Sequence, residues 1–193
     1  MKHPSSQILF AHWNDRRGGY PLPERGAIDP GAIRGALGDT FILSFDTLAQ
    51  YPFRLAGTRL CALFGQELKG QPFLALWQPE GWRQMASLID VVADETIGIV
   101  AGATGRNADG ASVELEILLL PLQHAGRSHA RLIGAVSPLS APYWLGMHPL
   151  LPLTLGEHRY VGPRVTGPAP VLPFPPPEAR RRHGLIVYDG GQA

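Results

Sequence analysis

The sequence contains a single cysteine, Cys61, in 193 residues. One cysteine excludes an internal disulfide framework and is typical of a protein kept in a reducing compartment. No apolar run approaches the ~18 residues that a membrane-spanning helix needs. The apolar stretch near the N-terminus is too short for a signal peptide, because the polar run at residues 13–17 interrupts it. The sequence therefore predicts a cytoplasmic protein without a membrane span.

Strong charge and catalytic motifs are also missing. Charged residues make up 17% of the chain and the formal net charge is +1, so no nucleic-acid-binding surface is predicted. The chain has no G-x-x-x-x-G-K-[ST] loop, no G-x-S-x-G, no H-E-x-x-H and no paired cysteines. Of the seven histidines, only His124 and His129 are near each other, and no carboxylate or thiolate completes a metal site there. We expect no catalytic residue, no metal and no enzymatic activity.

Residues 52–77 contain several short elements separated by glycines, and the rest of the chain is interpreted around them. Alternation over residues 53–57 predicts a strand, and Thr58 is placed to cap a short helix over residues 59–64. Gly65 suits the left-handed residue just past that helix. Because such short helices pack poorly alone, we expect them to lie over a sheet and to form one wall of a core.

The rest of the pattern predicts an α+β fold. Apolar residues recur at three- and four-residue spacings over residues 79–95, the strongest helical pattern in the chain. Two strands, then helices, then three strands predict a five-stranded antiparallel sheet with the helices on one face. The other predicted strands span residues 40–46, 97–104, 112–122 and 130–136, and an added N-terminal helix runs from Ser5 or Ser6 to about Arg17.

One segment carries a family resemblance. The run CALFGQELKGQPF of residues 61–73 resembles the segment after the second strand of PAS sensor domains, where LFG, a leucine and G-x-x-F recur. The RGGYPLP start, the IDP of residues 28–30 and the LAGTRLCALFG run are similar to a family of small stand-alone bacterial PAS-like proteins. The resemblance covers residues 9–145. It implies the PAS-like order of strands and a regulatory domain, and it names no ligand.

A PAS-like fold implies a candidate ligand cavity between the helices and the sheet. The same residues suit an ordinary filled core, and both interpretations stay open. The chain lacks the Asn-Cys-Arg-type motif of flavin-binding PAS domains, and its long helix offers no histidine for haem, so no cofactor is predicted. The residues that would line the cavity are Cys61, Phe64, Phe73, Trp77, Trp82, Met85 and Ile89.

The chain divides into three regions by composition. We expect an N-terminal helix and connecting segment over residues 1–37, a PAS-like core over residues 38–139 and a Pro-rich extended C-terminal tail over residues 140–193. Eleven of the nineteen prolines lie between Pro138 and Pro177. The tail also holds a basic triplet at residues 180–182 and a strand-like run at residues 185–188, which could add to an exposed sheet edge.

The apolar pattern of the fourth predicted strand, residues 112–122, predicts that the protein forms an oligomer. The apolar residues of this strand occupy both faces, yet the central helices cover only one. The N-terminal helix is the nearest cover for the other face, and one short helix leaves an apolar remainder. We therefore expect a two-fold homodimer. Its predicted interface consists of Ile8, Leu9, Trp13, Leu118 and Leu120.

Three functions are compatible with these features. The leading hypothesis is a non-enzymatic PAS-type sensor or signalling module that contacts an unidentified signalling protein and is tuned by a small-molecule ligand. The second is a structural or localisation adaptor with a filled core, which binds partners through its tail. The third is a small enzyme of a cone-like α+β fold, which needs an Asp–His pair in a polar pocket.

Overall fold

The computed structural model describes residues 1–162 and the short strands of residues 181–182 and 185–186. The chain forms two compact units, Met1–Pro163 and Arg164–Ala193. The first unit holds the helices and the main sheet, so it is described first and by itself.

Helices and strands of the first unit follow the predicted order. The helices are α1 (Pro4–Arg17), α2 (Thr58–Phe64) and α3 (Pro79–Asp94), and 3-10 helices span Arg25–Ala27 and Phe73–Leu76. The strands are β1 (Thr40–Ser44), β2 (Phe53–Ala56), β3 (Gly98–Arg106), β4 (Ser112–His124), β5 (Arg127–Pro138) and β6 (Thr154–Val161). Gly65 ends α2 with φ +64°, as predicted, whereas Gly57 and not Thr58 is the residue before its first turn.

The strands form one antiparallel sheet with the spatial order β2-β1-β5-β4-β3-β6. The predicted α+β fold is confirmed, and all five predicted strands are present. Residues from α2 and α3 contribute to the core on one face of the sheet, here called the inner face. Helix α1 covers part of the opposite, outer face.

The sixth strand lies in a segment that was predicted as extended tail. Strand β6 pairs with β3, from Gly98 opposite Val161 to Thr104 opposite Thr154. The sequence pattern did not indicate β6, because a strand with one buried face shows alternating apolar and polar residues. The residues of β6 are all exposed or only partly buried, and they lack that alternation. The core unit therefore extends past residue 139, where the composition changes.

In the second unit, Arg181–Arg182 and Leu185–Ile186 form antiparallel strands β7 and β8. The prediction of a strand-like run at residues 185–188 falls partly on these residues. The proline run at residues 173–177 and the rest of the predicted tail sequence there lie outside the described residues.

The inner core is packed with aromatic and aliphatic side chains. Phe73 contacts three other rings, with centroids 5.4 Å from Phe41, 5.7 Å from Phe53 and 5.9 Å from Trp77. Helix α3 adds Met85 and other apolar residues of its inner stripe, and these are buried. Burial of these side chains is the main favourable term that holds the helices to the sheet.

Trp82 was predicted to belong to the buried stripe of α3, and this prediction is wrong. Its side chain is 36% exposed, and its Nε1 donates a hydrogen bond to the Trp77 carbonyl at 2.8 Å. Trp82 lies in the first turn of α3, where the helix begins at the rim of the core, so the helical period alone overestimates its burial.

We predict that Ile89→Ala lowers the free energy of unfolding by about 2–5 kcal/mol, the usual cost of a cavity at a fully buried aliphatic position. Ile89 has no exposed surface. Trp82→Ala is the matched variant on the same helix, and its cost is expected to be clearly smaller because the indole is partly in solvent. Urea unfolding of both variants measures the difference. An Ile89→Ala protein within about 0.5 kcal/mol of the wild type would contradict the assignment.

Candidate functional site

Five of the seven predicted cavity residues come together on the inner face. Phe64, Phe73, Trp77, Met85 and Ile89 are all buried in the inner core. Cys61 is half-buried in α2, and its Sγ lies 3.9 Å from a carboxylate oxygen of Glu67. Trp82 lies at the surface, as described above.

Trp77 carries an unusual feature inside this core. The residue is 1% exposed, and its indole Nε1 has no hydrogen-bond partner among the described residues. Buried indole N–H groups usually find an acceptor, because an unsatisfied donor costs about 1–3 kcal/mol.

Helix α1 packs against the outer face of β4 and β5. Leu9 and Trp13 are fully buried in one cluster with Leu118 and Leu120, and Trp13 Nε1 donates to the Pro121 carbonyl at 2.8 Å. These four residues were predicted to meet across a dimer, and they meet within one chain instead. The connecting segment covers part of the apolar remainder expected on the outer face and adds Leu22 and Ile33 to the cluster.

Ile8, the fifth predicted interface residue, does not belong to the buried stripe. Its side chain is 38% exposed. On a helix, position 8 is adjacent to position 9 but 100° away around the axis, and in α1 the stripe that faces the sheet contains Leu9, His12 and Trp13.

Glu116 anchors the start of α1 to the sheet. This side chain is 4% exposed on β4, and its carboxylate accepts hydrogen bonds from the backbone N–H groups of Lys2 at 2.6 Å and His3 at 3.0 Å. Burial on its own raises the pKa of Glu116, but the hydrogen bonds donated by the backbone N–H groups of Lys2 and His3 help to outweigh it, and the pKa lies below its ordinary value.

Asp39 joins α1 to α2. The carboxylate accepts a hydrogen bond from the Ser5 hydroxyl of α1. It also accepts two from the Arg59 guanidinium of α2, at 2.7 Å from Nε and 2.9 Å from Nη2. Arg59 Nη2 further donates to the Gly35 carbonyl at 3.0 Å. We call Ser5, Asp39 and Arg59 the polar junction, because they link the helix on the outer face to a helix of the inner face.

The polar junction is compact. Asp39 is 2% exposed, and its hydrogen bond is the main reason why the pKa of Arg59 lies above its ordinary value. The backbone segments beside the junction also pack closely against each other. A Cβ atom at Gly57 would lie 2.2 Å from the Leu37 carbonyl oxygen, so only glycine fits there.

The residues of the polar junction were not identified in advance as a site. Arg59 was interpreted as an exposed arginine at a helix start, with contact to an anion as the alternative. Ser5 was interpreted as the start of the N-terminal helix, and Asp39 was not assigned a role. No local pattern unites these three residues, because they come from separate parts of the chain.

Among the described residues, the helices all lack the combination of length and apolar character that crossing a bilayer requires. Within the same residues, His, Cys, Asp and Glu side chains do not gather in groups of three or more that could hold a metal ion.

The chain is similar to known proteins in both sequence and fold. A protein-family model described as "PAS domain" matches residues 1–137. No curated protein matches the chain. The chain is similar to the solved structure of a light-oxygen-voltage domain, with 15% identity, a TM-score of 0.45 and coverage of 58% of this chain and 85% of that one. It is also similar to the LOV protein of Rhodobacter sphaeroides (13% identity, TM-score 0.43, coverage 54% and 61%). A third similar structure is a PAS domain from Colwellia psychrerythraea (18% identity, TM-score 0.40, coverage 57% and 97%).

We predict that Glu116→Gln destabilises the protein by about 1–3 kcal/mol at neutral pH, because an uncharged amide is a weaker acceptor for two N–H groups. A carboxyl whose folded pKa is depressed contributes stability that is present above its unfolded pKa, near 4.5, and is lost as the pH falls through the folded value. Wild type should therefore lose stability more steeply than Glu116→Gln below about pH 4.5. Urea unfolding between pH 3 and 7 measures both effects.

Glu114→Gln is the matched control for this experiment. Glu114 lies two residues earlier on the same strand and is exposed, and its carboxylate accepts a hydrogen bond from the Thr104 hydroxyl at 3.0 Å. The Glu114→Gln protein should lose stability below about pH 4.5 as steeply as the wild type does. Equal behaviour of the two variants would contradict the anchoring role of Glu116.

Proposed function

This chain belongs to the PAS domain family, and we propose that it is a sensor module without catalytic activity of its own, which passes a signal by protein–protein contact. A small ligand in the inner core tunes that contact. The polar junction is the observation that carries the proposal. It provides a direct mechanical link between the helices beside the inner core and the helix that covers the outer face.

Helix α2 is the element through which a structural change in the inner core would alter the polar junction. Leu60, Leu63 and Phe64 of α2 are buried in the inner core, and Arg59 of the same helix binds Asp39. A shift of α2 therefore changes the position of a carboxylate that also holds Ser5 of α1. Interfaces of this kind favour two discrete arrangements, because packed cores are not continuously deformable.

The ligand part of the proposal is supported by the Trp77 indole. Its buried Nε1 has no acceptor among the described residues, which a ligand carbonyl or carboxylate would supply. The adaptor with a filled core is the second candidate, and it is favoured by the contacts of Phe73 with Phe41, Phe53 and Trp77, which already occupy much of the inner face. A ligand that co-purifies with the protein distinguishes the two.

An enzyme of the cone-like class remains the weakest candidate. His148 and Asp109 approach each other to 3.9 Å, but their side chains are 54% and 73% exposed. A solvated pair lacks the low-dielectric surroundings that give a general base its strength. The proposal accordingly assigns no catalytic role to any residue.

The protein partner is proposed to bind exposed apolar residues. Tyr143, Met147 and Leu151 lie between β5 and β6 and are 88%, 65% and 48% exposed. Apolar side chains exposed in one segment are typical of contact surfaces. The homodimer stays part of the proposal, with its contact placed here because each protomer covers its own Leu118 and Leu120. The proposed location of this assembly is the cytoplasm.

We predict that Asp39→Asn loosens α1 without unfolding the sheet. The amide cannot accept both the guanidinium and the hydroxyl as a carboxylate does, and loss of a charge-assisted hydrogen bond amounts to about tenfold in an opening equilibrium. Hydrogen exchange followed by mass spectrometry should show residues 4–17 exchanging about tenfold faster, while β4 and β5 keep their protection.

Asp46→Asn is the control, because Asp46 is exposed and holds only a local turn through the Ala49 N–H.

The same two variants test the function. Protein purified from its own host is analysed by native mass spectrometry for ligand and partner. The partner bound by wild type and by Asp46→Asn should bind Asp39→Asn several-fold more weakly or more tightly. A partner that binds all three proteins equally would contradict signalling through the junction.

A further inference from the structure

A concavity lined by positive charge lies on the outer face of the sheet. It has a volume of about 610 Å³ and opens where β2, β1 and β5 present their outer face. Arg25, Arg54, Lys69 and Arg131 line it, and His124 completes the rim. The chain as a whole has a net charge of only +1, so four cations in one concavity are a local concentration that composition does not explain.

These cations converge from separate parts of the fold. Arg25 begins the 3-10 helix that follows α1, and Lys69 lies in the loop after α2. Arg131 lies on β5 opposite Ser44 of β1. Arg54 is the extra residue of a β-bulge, since its neighbours Phe53 and Leu55 pair with Leu43 and Ile42. Bulges re-aim side chains, and here the bulge directs one more guanidinium to the concavity.

The charge is not compensated within the described part of the chain. There, no carboxylate lies within 4 Å of the side chains of Arg25, Arg54, Lys69 or Arg131. Burial lowers the pKa of Arg131, and repulsion from Arg54 and Arg25 lowers it further. Arg59 shows the opposite: its partner Asp39 raises its pKa. The arginines of the concavity therefore lack the counter-ion that the fold provides elsewhere.

The size and chemistry of the concavity define a ligand class. Guanidinium groups bind phosphate and carboxylate oxygens through paired N–H donors. Four cations favour a ligand with several negative charges, and a volume of about 610 Å³ is in the range of small-molecule sites. Ile42 and Leu55 also line the concavity and offer an apolar surface for the body of the ligand.

We propose that this concavity binds a phosphorylated small molecule that carries at least two phosphate groups, of about the size of a nucleotide. Arg54, Arg131 and Lys69 hold the phosphates, and the apolar part of the ligand rests on Ile42 and Leu55. The site lies apart from Trp77 and its unpaired indole. It goes beyond the proposed sensor function, and its occupancy does not depend on a ligand in the inner core.

Isothermal titration calorimetry of the full chain with ATP, pyrophosphate and inorganic phosphate at low salt tests the proposal. ATP and pyrophosphate should bind at least about tenfold more tightly than inorganic phosphate, because more cations are engaged at once. Affinity should fall as NaCl is raised. Equal, weak binding of all three anions would overturn the proposal, as would equally tight binding of a poly-glutamate peptide, which would indicate an acidic protein segment as the ligand.

Variants locate the site. Arg54→Gln and Lys69→Gln alter exposed side chains, so the fold should persist, and each should weaken ATP binding by about tenfold, the cost of one charge-assisted hydrogen bond. Arg83→Gln, on the exposed surface of α3, is the control and should bind as wild type does. Backbone amide NMR shifts upon ATP addition should be largest around Ile42, Leu55 and Arg131. Unchanged binding by both Arg54→Gln and Lys69→Gln would overturn the assignment, whatever happens in the inner core.

Discussion

The buried carboxylate of Asp39 is the constraint on which the arrangement of helices depends. A carboxylate with 2% exposure is stable only when hydrogen bonds and an opposite charge replace the water it loses. Arg59 supplies the charge from α2, and Ser5 supplies a hydroxyl from α1. Neither helix completes the environment alone, so the position of each is linked to the position of the other.

The apolar clusters on the two faces of the sheet supply most of the stabilisation, but they do not specify how the faces communicate. The apolar interactions within each cluster are non-directional, so each cluster could tolerate small shifts of its own helix. The directional bonds at Asp39 and Glu116 fix where α1 begins and how it lies on β4. Two separate apolar cores that share the Asp39 carboxylate suit a domain in which a structural change on one face of the sheet alters the other face.

The order of elements was predictable because it depends on local periodicity. Residues 79–95 repeat apolar side chains at helical spacing over four turns, and the structure places α3 there. Residues 112–122 alternate strongly enough to identify β4. Strand β6 could not be predicted in this way, since its pairing with β3 comes from backbone hydrogen bonds at an edge and not from burial of one face.

The sites were much less predictable than the fold. Phe64, Phe73, Trp77, Met85 and Ile89 were identified because large apolar residues near a domain core are buried whatever their role. The junction of Ser5, Asp39 and Arg59 unites residues up to 54 positions apart, and the four cations of the concavity come from four separate parts of the chain. Such convergence follows from the sheet order, which local patterns do not contain.

The hydrogen bond from Trp13 to Pro121 spans 108 residues of sequence, and this distance matters while the protein is being made. During synthesis α1 leaves the ribosome long before β4 and β5 exist, so Leu9 and Trp13 stay exposed for roughly 5–20 s at ordinary elongation rates. The helix can dock only after the sheet has formed. Its apolar stripe is therefore open to chaperones throughout that interval.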